Sequence, residues 1–290
     1  FDLLFQLFII IFFFFLAFTW IQVEGNSIIE DKNSASSYKT VRQIWESHKH
    51  RFVLDKWMQY ADAYEKHLPK PIFHPENTKK DRKEIRLLEI GVQSGGSLID
   101  WKRYYGDNST IVGIDIDTRC SRSHMPDENI FVEIGSQLDQ DFLLSVCRKY
   151  GPFNIIIDDG GHSAKMIMTS IRIMFPNETC ISPVEGDSVY AIEDLHTSVM
   201  RRYFQNHKEF SHDLFGESFR AMHSRYSETT EESHDSLIFQ QHINSVHLYD
   251  SIAFFGKGIQ QGLDRKIVGK DAFKNNEFKL NPKGAYVYRK

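Results

Sequence analysis

The stretch Ile155-Ile156-Ile157-Asp158-Asp159-Gly160-Gly161-His162 passes from a continuous apolar run into two acids, two glycines and a histidine. Such a run is typical of a strand buried inside a parallel sheet, and the polar residues then lie just past its carboxyl end. In open α/β sheets that edge is where ligands bind. The stretch therefore predicts both the type of sheet and the place of its binding site.

A second stretch has the same form, because the apolar residues 188–192 lead directly into Glu193 and Asp194. If the two strands are neighbours, Asp159, Glu193 and Asp194 converge at one edge of the sheet. Carboxylates that are crowded together repel one another unless a cation joins them, and Mg²⁺ prefers oxygen ligands. The three acids are therefore predicted metal ligands.

The first clear strand, residues 85–90, runs into the glycine-rich turn Gly91-Val92-Gln93-Ser94-Gly95-Gly96-Ser97. Its Gly-x-x-x-Gly-Gly spacing differs from the Gly-x-Gly-x-x-Gly of dinucleotide binders, and it lacks the Lys-Ser/Thr of a phosphate-binding loop. Glu89 would repel a pyrophosphate but could hold an ammonium group. Asp115 ends the next strand, where an acid can bind ribose hydroxyls.

The order of elements predicts the fold class. Strands and helices alternate over residues 85–200, which favours an α/β, Rossmann-like, doubly wound and mostly parallel sheet. Residues 245–249 and 252–255 flank a tight turn and predict an antiparallel pair at the C-terminal edge. Residues 40–68 have helical periodicity, with aromatic residues that predict packing against the main domain rather than a substrate wall. Residues 201–241 predict an irregular insertion over the active-site edge.

The N-terminus differs from the rest of the chain, because residues 3–23 carry no charge. At about 1.5 Å per residue this stretch could cross a bilayer core of roughly 30 Å. We expect a signal anchor or a cleaved signal peptide at residues 1–25. A linker and an N-terminal helical segment are expected at residues 26–80, and the main domain at residues 81–290.

Two glycosylation sequons, Asn108-Ser109-Thr110 and Asn177-Glu178-Thr179, agree with entry into the secretory pathway. The expected location is therefore membrane-anchored with a lumenal catalytic domain, or secreted. A net charge of −4 and the lack of a basic stripe argue against a nucleic-acid partner. Cys120, Cys147 and Cys180 are too widely spaced for a usual structural zinc site, and they allow at most one disulfide.

Five segments, in order, resemble class I S-adenosylmethionine-dependent methyltransferases, and in particular the metal-dependent macrolide sugar O-methyltransferases of the mycinamicin and macrocin type. The segments are Glu89-Ile-Gly-Val-Gln-Ser-Gly-Gly-Ser97, Gly113-Ile-Asp115, Gly135-Ser-Gln137, Asp158-Asp-Gly-Gly-His162 and Ile192-Glu-Asp-Leu195. Gly161 stands where the family usually has Ser, which we expect to be tolerated.

The resemblance implies Mg²⁺-dependent transfer of a methyl group from S-adenosylmethionine to a hydroxyl of a sugar or glycan. Its implied general base is His162. Its implied metal ligands are Asp159, Glu193 and Asp194. Its implied cofactor-binding residues are Gly91, Gly95, Ser97, Asp115, which would bind the ribose, and Gln137, which would lie near the adenine. Glu89 is a further candidate, for the ammonium group of the cofactor.

Other readings stay open at the level of sequence. The sheet could serve a nicotinamide-dependent oxidoreductase, or the chain could be a non-catalytic, membrane-tethered glycan-binding protein that keeps a methyltransferase fold. Asp159 could instead be the N-cap of the helix that follows, His162 a capping or surface residue, and Glu193 and Asp194 a solvated pair. The sequence does not fix the oligomeric state and is compatible with a homo-oligomer.

Overall fold

Strand β4 (Ile155–Asp158) lies in the middle of a seven-stranded sheet in the computed structural model of the chain. The residues that the structure describes are 38–75, 84–183, 188–200, 203, 211–223, 242–258, 278–280 and 286–288. All of β4 is buried, as expected of a strand that is covered by helices on both faces.

The other strands of this sheet are β1 (Ile85–Ile90), β2 (Ser109–Asp115), β3 (Ile130–Ile134), β5 (Ser188–Ile192), β6 (Ile243–Tyr249) and β7 (Ile252–Lys257). Their spatial order is β3-β2-β1-β4-β5-β7-β6. Strands β1 to β5 are parallel, whereas β7 is antiparallel to both β5 and β6. This confirms the predicted α/β, doubly wound and mostly parallel sheet with its antiparallel C-terminal edge pair.

Helices cover both faces of the sheet. The α-helices of the described part are α1 (Val41–Glu46), α2 (Gln59–His67), α3 (Gly96–Tyr105), α4 (Gln140–Tyr150), α5 (Ala164–Met174) and α6 (Ser211–His223). Ile156 belongs to the core that includes α4, α5 and α6, whereas Ile155 and Ile157 belong to the core that includes α1, α2 and α3. The alternation follows from the two-residue period of a strand.

The prediction of one helical stretch over residues 40–68 is wrong, because the structure has two separate helices there, α1 and α2. Thr40 begins α1 with a capping box, in which its side chain and that of Gln43 each accept a backbone N–H. The chain then leaves the helix over residues 47–58, because backbone groups there bond to distant partners. The Val53 N–H, for example, donates to Ser94 Oγ at 2.9 Å.

The aromatic residues of these two helices behave mainly as the packing interpretation predicted. Trp45, Tyr60 and Tyr64 are buried, and Trp45 and Tyr64 both make edge-on contacts with Trp101 of α3. Trp57 is the exception. It lies in the segment between the two helices, and it is 53% exposed.

Residues 201–241 were expected to form an irregular insertion over the active-site edge, and this is wrong for α6. Its Leu214 and Ala221 are buried in a core shared with β6 and β7, and the rings of Phe215 and Phe255 stack 5.9 Å apart. The helix therefore covers one face of the sheet near its antiparallel edge.

The apolar N-terminus, expected to be an anchor or signal peptide at residues 1–25, lies outside the described residues. None of the helices within those residues is long and apolar enough to cross a membrane. Residues 261–290 form a separate compact unit, in which β8 (Phe278–Leu280) pairs antiparallel with β9 (Tyr286–Tyr288).

Two of the three cysteines form a disulfide. Cys147 on α4 is bonded to Cys180, which precedes β5, while Cys120 is a free buried thiol. The sequence allowed one disulfide without indicating which pair would form, and the fold selects this pair because their Cα atoms are 4.6 Å apart.

Candidate active site

A cavity of about 910 Å³ lies at the carboxyl ends of β1, β2, β4 and β5. The order of strands reverses between β1 and β4, which is the point where open α/β sheets bind ligands. The cavity is lined by most of the residues that the sequence singled out, namely Gly91, Ser97, Asp115, Gln137, Asp159, His162, Glu193 and Asp194.

Backbone contacts fix the glycine-rich turn against the sheet. Gly91 has a φ of 94°, a conformation that disfavours side chains, and its N–H donates to the carbonyl of Ile114 at 2.8 Å. Asp115 Oδ2 accepts the N–H groups of Val92 and Gln93 at 2.9 and 3.0 Å. Asp115 therefore orients the turn while it also faces the cavity.

Asp158 stabilises the loop between β4 and α5 through hydrogen bonds on the side of the core. It is buried, and it accepts hydrogen bonds from Ser170, from Tyr190 at 3.1 Å and from Gln137 Nε2 at 3.1 Å. Gln137 Oε1 in turn accepts the N–H of Gly161 at 2.8 Å. Gln137 was expected near the adenine of a cofactor, and here it lines the cavity and also links β3 to this loop.

The glycine at position 161 leaves room for a neighbouring side chain. A Cβ atom on Gly161 would lie 2.1 Å from the sulfur of Met166. Serine at this position, as in the family that the sequence resembles, would therefore require Met166 to move.

The acids at the ends of β1, β4 and β5 do converge, and a lysine lies among them. Lys56 Nζ donates to Glu89 Oε1 at 2.9 Å, to Asp159 Oδ2 at 2.7 Å and to Glu193 Oε1 at 2.9 Å. The Lys56 side chain is only 2% exposed. No pattern in the sequence marks Lys56, so the structure supplies a protein cation at a place where only a metal was expected.

Burial and charge pairing act in opposite directions on the pKa values of this cluster. Burial alone would lower the pKa of Lys56, but attraction to Asp159, Glu193 and Glu89 outweighs it and raises the pKa well above its usual value. Burial raises the pKa of Asp159 and of Glu193, and Lys56 only partly opposes this. Burial therefore favours the neutral, protonated form of both acids even with the ammonium beside them.

Asp194 faces the same space from the end of β5. One potential ligand atom from each of Asp159, His162 and Asp194 lies within 4.8 Å of the others, so these residues could hold a metal ion. Asp194 Oδ1 accepts a hydrogen bond from Tyr60 at 2.8 Å. Glu193 is adjacent but more deeply placed, because it is 2% exposed and also accepts a bond from Tyr64 at 2.5 Å.

His162 lines the cavity beside Asp194. Its Nε2 is 3.6 Å from Asp194 Oδ2, and its φ of 55° is unusual for a residue with a side chain. Burial lowers the pKa of His162, and Asp194 opposes that shift. Ser163, not Asp159 or His162, caps α5 by accepting the N–H of Met166 at 3.3 Å.

Glu89, near the end of β1, and Gly95, within the glycine-rich turn, do not line the cavity. Glu89 is fully buried, and its second carboxylate oxygen accepts a hydrogen bond from Ser97 at 2.7 Å. Gly95 begins α3 with a φ of 87°, and a Cβ atom there would lie 2.5 Å from Ser123. Of this group, Ser97 is the residue that reaches the cavity.

The segment between α1 and α2 contributes residues that the sequence did not mark as functional. Lys56 and Trp57 both line the cavity, and Tyr60 and Tyr64 hold the acids from α2. The aromatic periodicity of α2 was the only available signal, and it predicted packing alone.

Comparison with known proteins agrees with the fold and with the motifs. No protein-family profile matches the chain. It is 29% identical over 223 residues to demethylmacrocin O-methyltransferase from Streptomyces fradiae, covering 72% of this chain and 52% of that protein. It is 30% identical over 188 residues to mycinamicin VI 2''-O-methyltransferase from Micromonospora griseorubida, covering 60% and 44%. The chain spans about half the length of the curated relatives it matches.

A solved structure gives the same result. The methyltransferase MycE of the mycinamycin biosynthetic pathway, in complex with Mg and SAH, superposes with a TM-score of 0.60 and 26% identity. The alignment covers 77% of this chain and 56% of MycE. The homologues of this chain are therefore macrolide sugar O-methyltransferases, and its fold is that of the methyltransferase MycE.

Proposed function

Because its homologues methylate sugars of macrolides, we propose that this chain is an S-adenosylmethionine-dependent, Mg²⁺-dependent O-methyltransferase that acts on a hydroxyl of a sugar or glycan. One observation carries the proposal. Asp159, His162 and Asp194 face the same cavity as the glycine-rich turn and Asp115, at the strand-order reversal of the sheet.

The cofactor would bind along the turn after β1. Gly91 and Ser97 would border its methionine part, and Asp115 would accept the ribose hydroxyls with lone pairs that its three backbone partners leave free. Gln137 would lie near the adenine. Glu89 and Gly95 would act indirectly, Glu89 through its bond to Ser97 and Gly95 through the shape of the turn, since both lie outside the cavity lining.

The acids suit a divalent cation. Asp159 and Asp194, with Glu193 beside them, offer the carboxylate oxygens that Mg²⁺ prefers, and a cavity next to them leaves room for water and substrate oxygens. When bound there, Mg²⁺ would orient the acceptor hydroxyl and lower its pKa. The protein's own part is to hold these oxygens in place through Lys56, Tyr60 and Tyr64.

His162 would act as the general base. In the transfer, the acceptor oxygen attacks the methyl carbon, the carbon–sulfur bond breaks and its electron pair goes to sulfur, while His162 takes the hydroxyl proton. The lowered pKa of His162 keeps the imidazole neutral near pH 7, which is the form that accepts a proton. Asp194, 3.6 Å away, would stabilise the imidazolium that results.

Trp57 would form part of the acceptor site. Its half-exposed ring lines the cavity next to the acids and meets His196 edge-on, with ring centres 6.0 Å apart. An exposed indole offers an apolar face for the C–H face of a sugar ring, and one such contact contributes about 0.5–1.5 kcal/mol.

The test is transfer of a labelled methyl group from S-adenosylmethionine to a panel of glycosides by the full chain, with and without EDTA. We expect the chain to form two products, S-adenosylhomocysteine and a labelled glycoside. Addition of EDTA should abolish the formation of both. Isothermal titration with S-adenosylmethionine and with a nicotinamide dinucleotide completes the test. Binding of the nicotinamide alone would favour an oxidoreductase, and cofactor binding without transfer to any glycoside would favour a binding protein.

We further propose that the catalytic domain is lumenal or extracellular. The uncharged residues 3–23, the two sequons and the bond between Cys147 and Cys180 support this, because disulfides persist mainly in oxidising compartments. Asn108 is exposed in the turn before β2, where a glycan could be attached. The expected result is a mobility shift of the expressed protein on enzymatic deglycosylation that Asn108→Gln reduces. A protein without glycan on either sequon would contradict the proposed location.

A further inference from the structure

The buried cation in this site comes from an irregular part of the chain. Lys56 lies between α1 and α2, and its Nζ contacts carboxylates at the ends of three different strands, Glu89, Asp159 and Glu193. The partners lie 33, 103 and 137 positions away along the chain. A lysine that is 2% exposed needs such partners, because an unpaired buried charge is strongly destabilising.

The segment that carries Lys56 is held in place by other contacts. His48 Nδ1 bonds to Asp100 Oδ2 at 2.8 Å, and His48 Nε2 bonds to the carbonyl of Phe52 at 2.7 Å. The Val53 N–H donates to Ser94 Oγ at 2.9 Å. The backbone near Lys56 is therefore anchored independently of its ammonium group.

Lys56 contacts one oxygen of each acid. It bonds to Asp159 Oδ2 and Glu193 Oε1, so its contacts leave Asp159 Oδ1 and Glu193 Oε2 for another ligand. A carboxylate that is fixed through one oxygen has a fixed direction for its second oxygen. In metal sites, residues that hydrogen-bond to the ligands fix the orientation of those ligands in the same way.

We propose that Lys56 is a positioning residue for the divalent-cation site, which orients Asp159 and Glu193 through one oxygen each and thereby raises the affinity of the site for the cation. The proposal rests on the proposed function for the identity of the cation as Mg²⁺. It extends that function, because it makes the segment before α2 part of the metal site and not only a packing element.

Two effects of Lys56 on a bound cation have opposite signs, and the proposal is that positioning of the ligands outweighs repulsion of the cation. The ammonium repels a divalent ion, but Asp159 and Glu193 lie next to it and offset that repulsion. Without Lys56, the acids Glu89, Asp159 and Glu193 would lie together with no lysine or arginine paired to them among the described residues. Mutual repulsion would then turn the carboxylates apart.

The experiment measures Mn²⁺ binding to the full chain by electron paramagnetic resonance, with Mn²⁺ as the probe for the Mg²⁺ site. We expect Lys56→Met to weaken Mn²⁺ binding roughly 10- to 100-fold, the range found when a group that orients metal ligands is removed. Lys56→Arg, which keeps the charge, should recover part of the loss. Lys49→Met, an exposed lysine of the same segment, is the matched control and should bind Mn²⁺ like the wild type.

Two further readouts separate this role from a purely structural one. Circular dichroism and thermal unfolding establish whether each variant folds, and affinity for S-adenosylhomocysteine should stay close to the wild-type value. If Lys56→Met does not fold, Lys56→Arg tests the proposal instead. The guanidinium nitrogens of arginine would not occupy the position of the lysine Nζ, so this variant should still bind Mn²⁺ more weakly than Lys49→Met. A folded variant that binds Mn²⁺ as well as the wild type, or more tightly, overturns the proposal. A wild type that binds neither Mn²⁺ nor S-adenosylhomocysteine would instead overturn the proposed function.

Discussion

Gly91 and Asp159 touch through their backbones, because a Cβ atom on Gly91 would lie only 2.1 Å from the main-chain oxygen of Asp159. The contact joins the turn after β1 to the acid loop after β4, which are the two sides of the strand-order reversal. The cofactor side and the metal side of the proposed site are therefore fixed to each other at one glycine.

Gly91→Ala should disrupt the site and destabilise the protein. The φ of 94° costs a residue with a side chain about 1–3 kcal/mol, and the new methyl group would also collide with backbone that cannot rotate away. Thermal unfolding and S-adenosylhomocysteine titration measure both effects. Gly216→Ala is the control, because its Cβ would make only ordinary contacts on α6, and we expect it to be neutral or stabilising by about 0.5–1 kcal/mol.

His162→Ala should lower kcat by roughly 10²- to 10⁴-fold and leave S-adenosylhomocysteine binding intact, as expected for loss of a general base. Burial lowers the pKa of His162, so the neutral base persists to lower pH than for a free histidine. The value of kcat/KM should therefore rise with pH to a plateau, with its midpoint below about 6.5. A midpoint above that value, or a His162→Ala variant with full activity, would contradict the assignment, and His223→Ala on α6 is the control.

Binding of Mg²⁺ should release protons near neutral pH. Burial raises the pKa of Asp159 and of Glu193, so part of the metal-free protein carries a proton there, and a cation binds only the ionised form. Apparent affinity should therefore increase as pH rises through neutrality. Isothermal titration in two buffers of different ionisation enthalpy measures the released protons, and Asp194→Asn should weaken binding while the exposed Asp127→Asn does not. An affinity that is independent of pH would argue against these acids as the ligands.

Trp57→Ala should raise KM for the glycoside roughly two- to tenfold, the equivalent of about 0.5–1.5 kcal/mol, with little change in kcat. The reason is that Trp57 lines the cavity and would contact the acceptor, whereas His162 is the residue that would take the proton. Steady-state kinetics with varied acceptor and saturating cofactor test this. Phe219→Ala removes a comparably exposed ring, 62% against 53%, from α6 and should change nothing. An unchanged KM in Trp57→Ala would remove this residue from the acceptor site.

Loss of the bond between Cys147 and Cys180 should cost about 2–4 kcal/mol of unfolding free energy, because it closes a loop with a sequence separation of 33. Urea unfolding of Cys147→Ser, with and without a reductant, measures this cost. The reductant should destabilise the wild type and leave the variant unchanged. Equal midpoints for both proteins without reductant would show that the bond does not form.

The sequence predicted the features that depend on local periodicity. The apolar run 155–157 specified a buried strand, and the acids that follow it and residues 188–192 were placed at one edge because parallel strands end together. It failed where backbone groups bond to distant partners. Residues 47–58 leave the helix in this way, and α6 lies in a region of weak periodicity that the core nevertheless orders.

By itself the sequence placed Asp159, Glu193 and Asp194 together at the carboxyl edge of a doubly wound sheet, since strand polarity and alternation leave few other arrangements. Only the tertiary structure decided that Lys56 lies among the acids, because that contact joins residues up to 137 positions apart through a segment with no repeating pattern. The physical reason is burial: Glu89 and Glu193 are removed from water beside the partly buried Asp159, and such acids require a positive charge close by, which the chain supplies from wherever the fold brings one near.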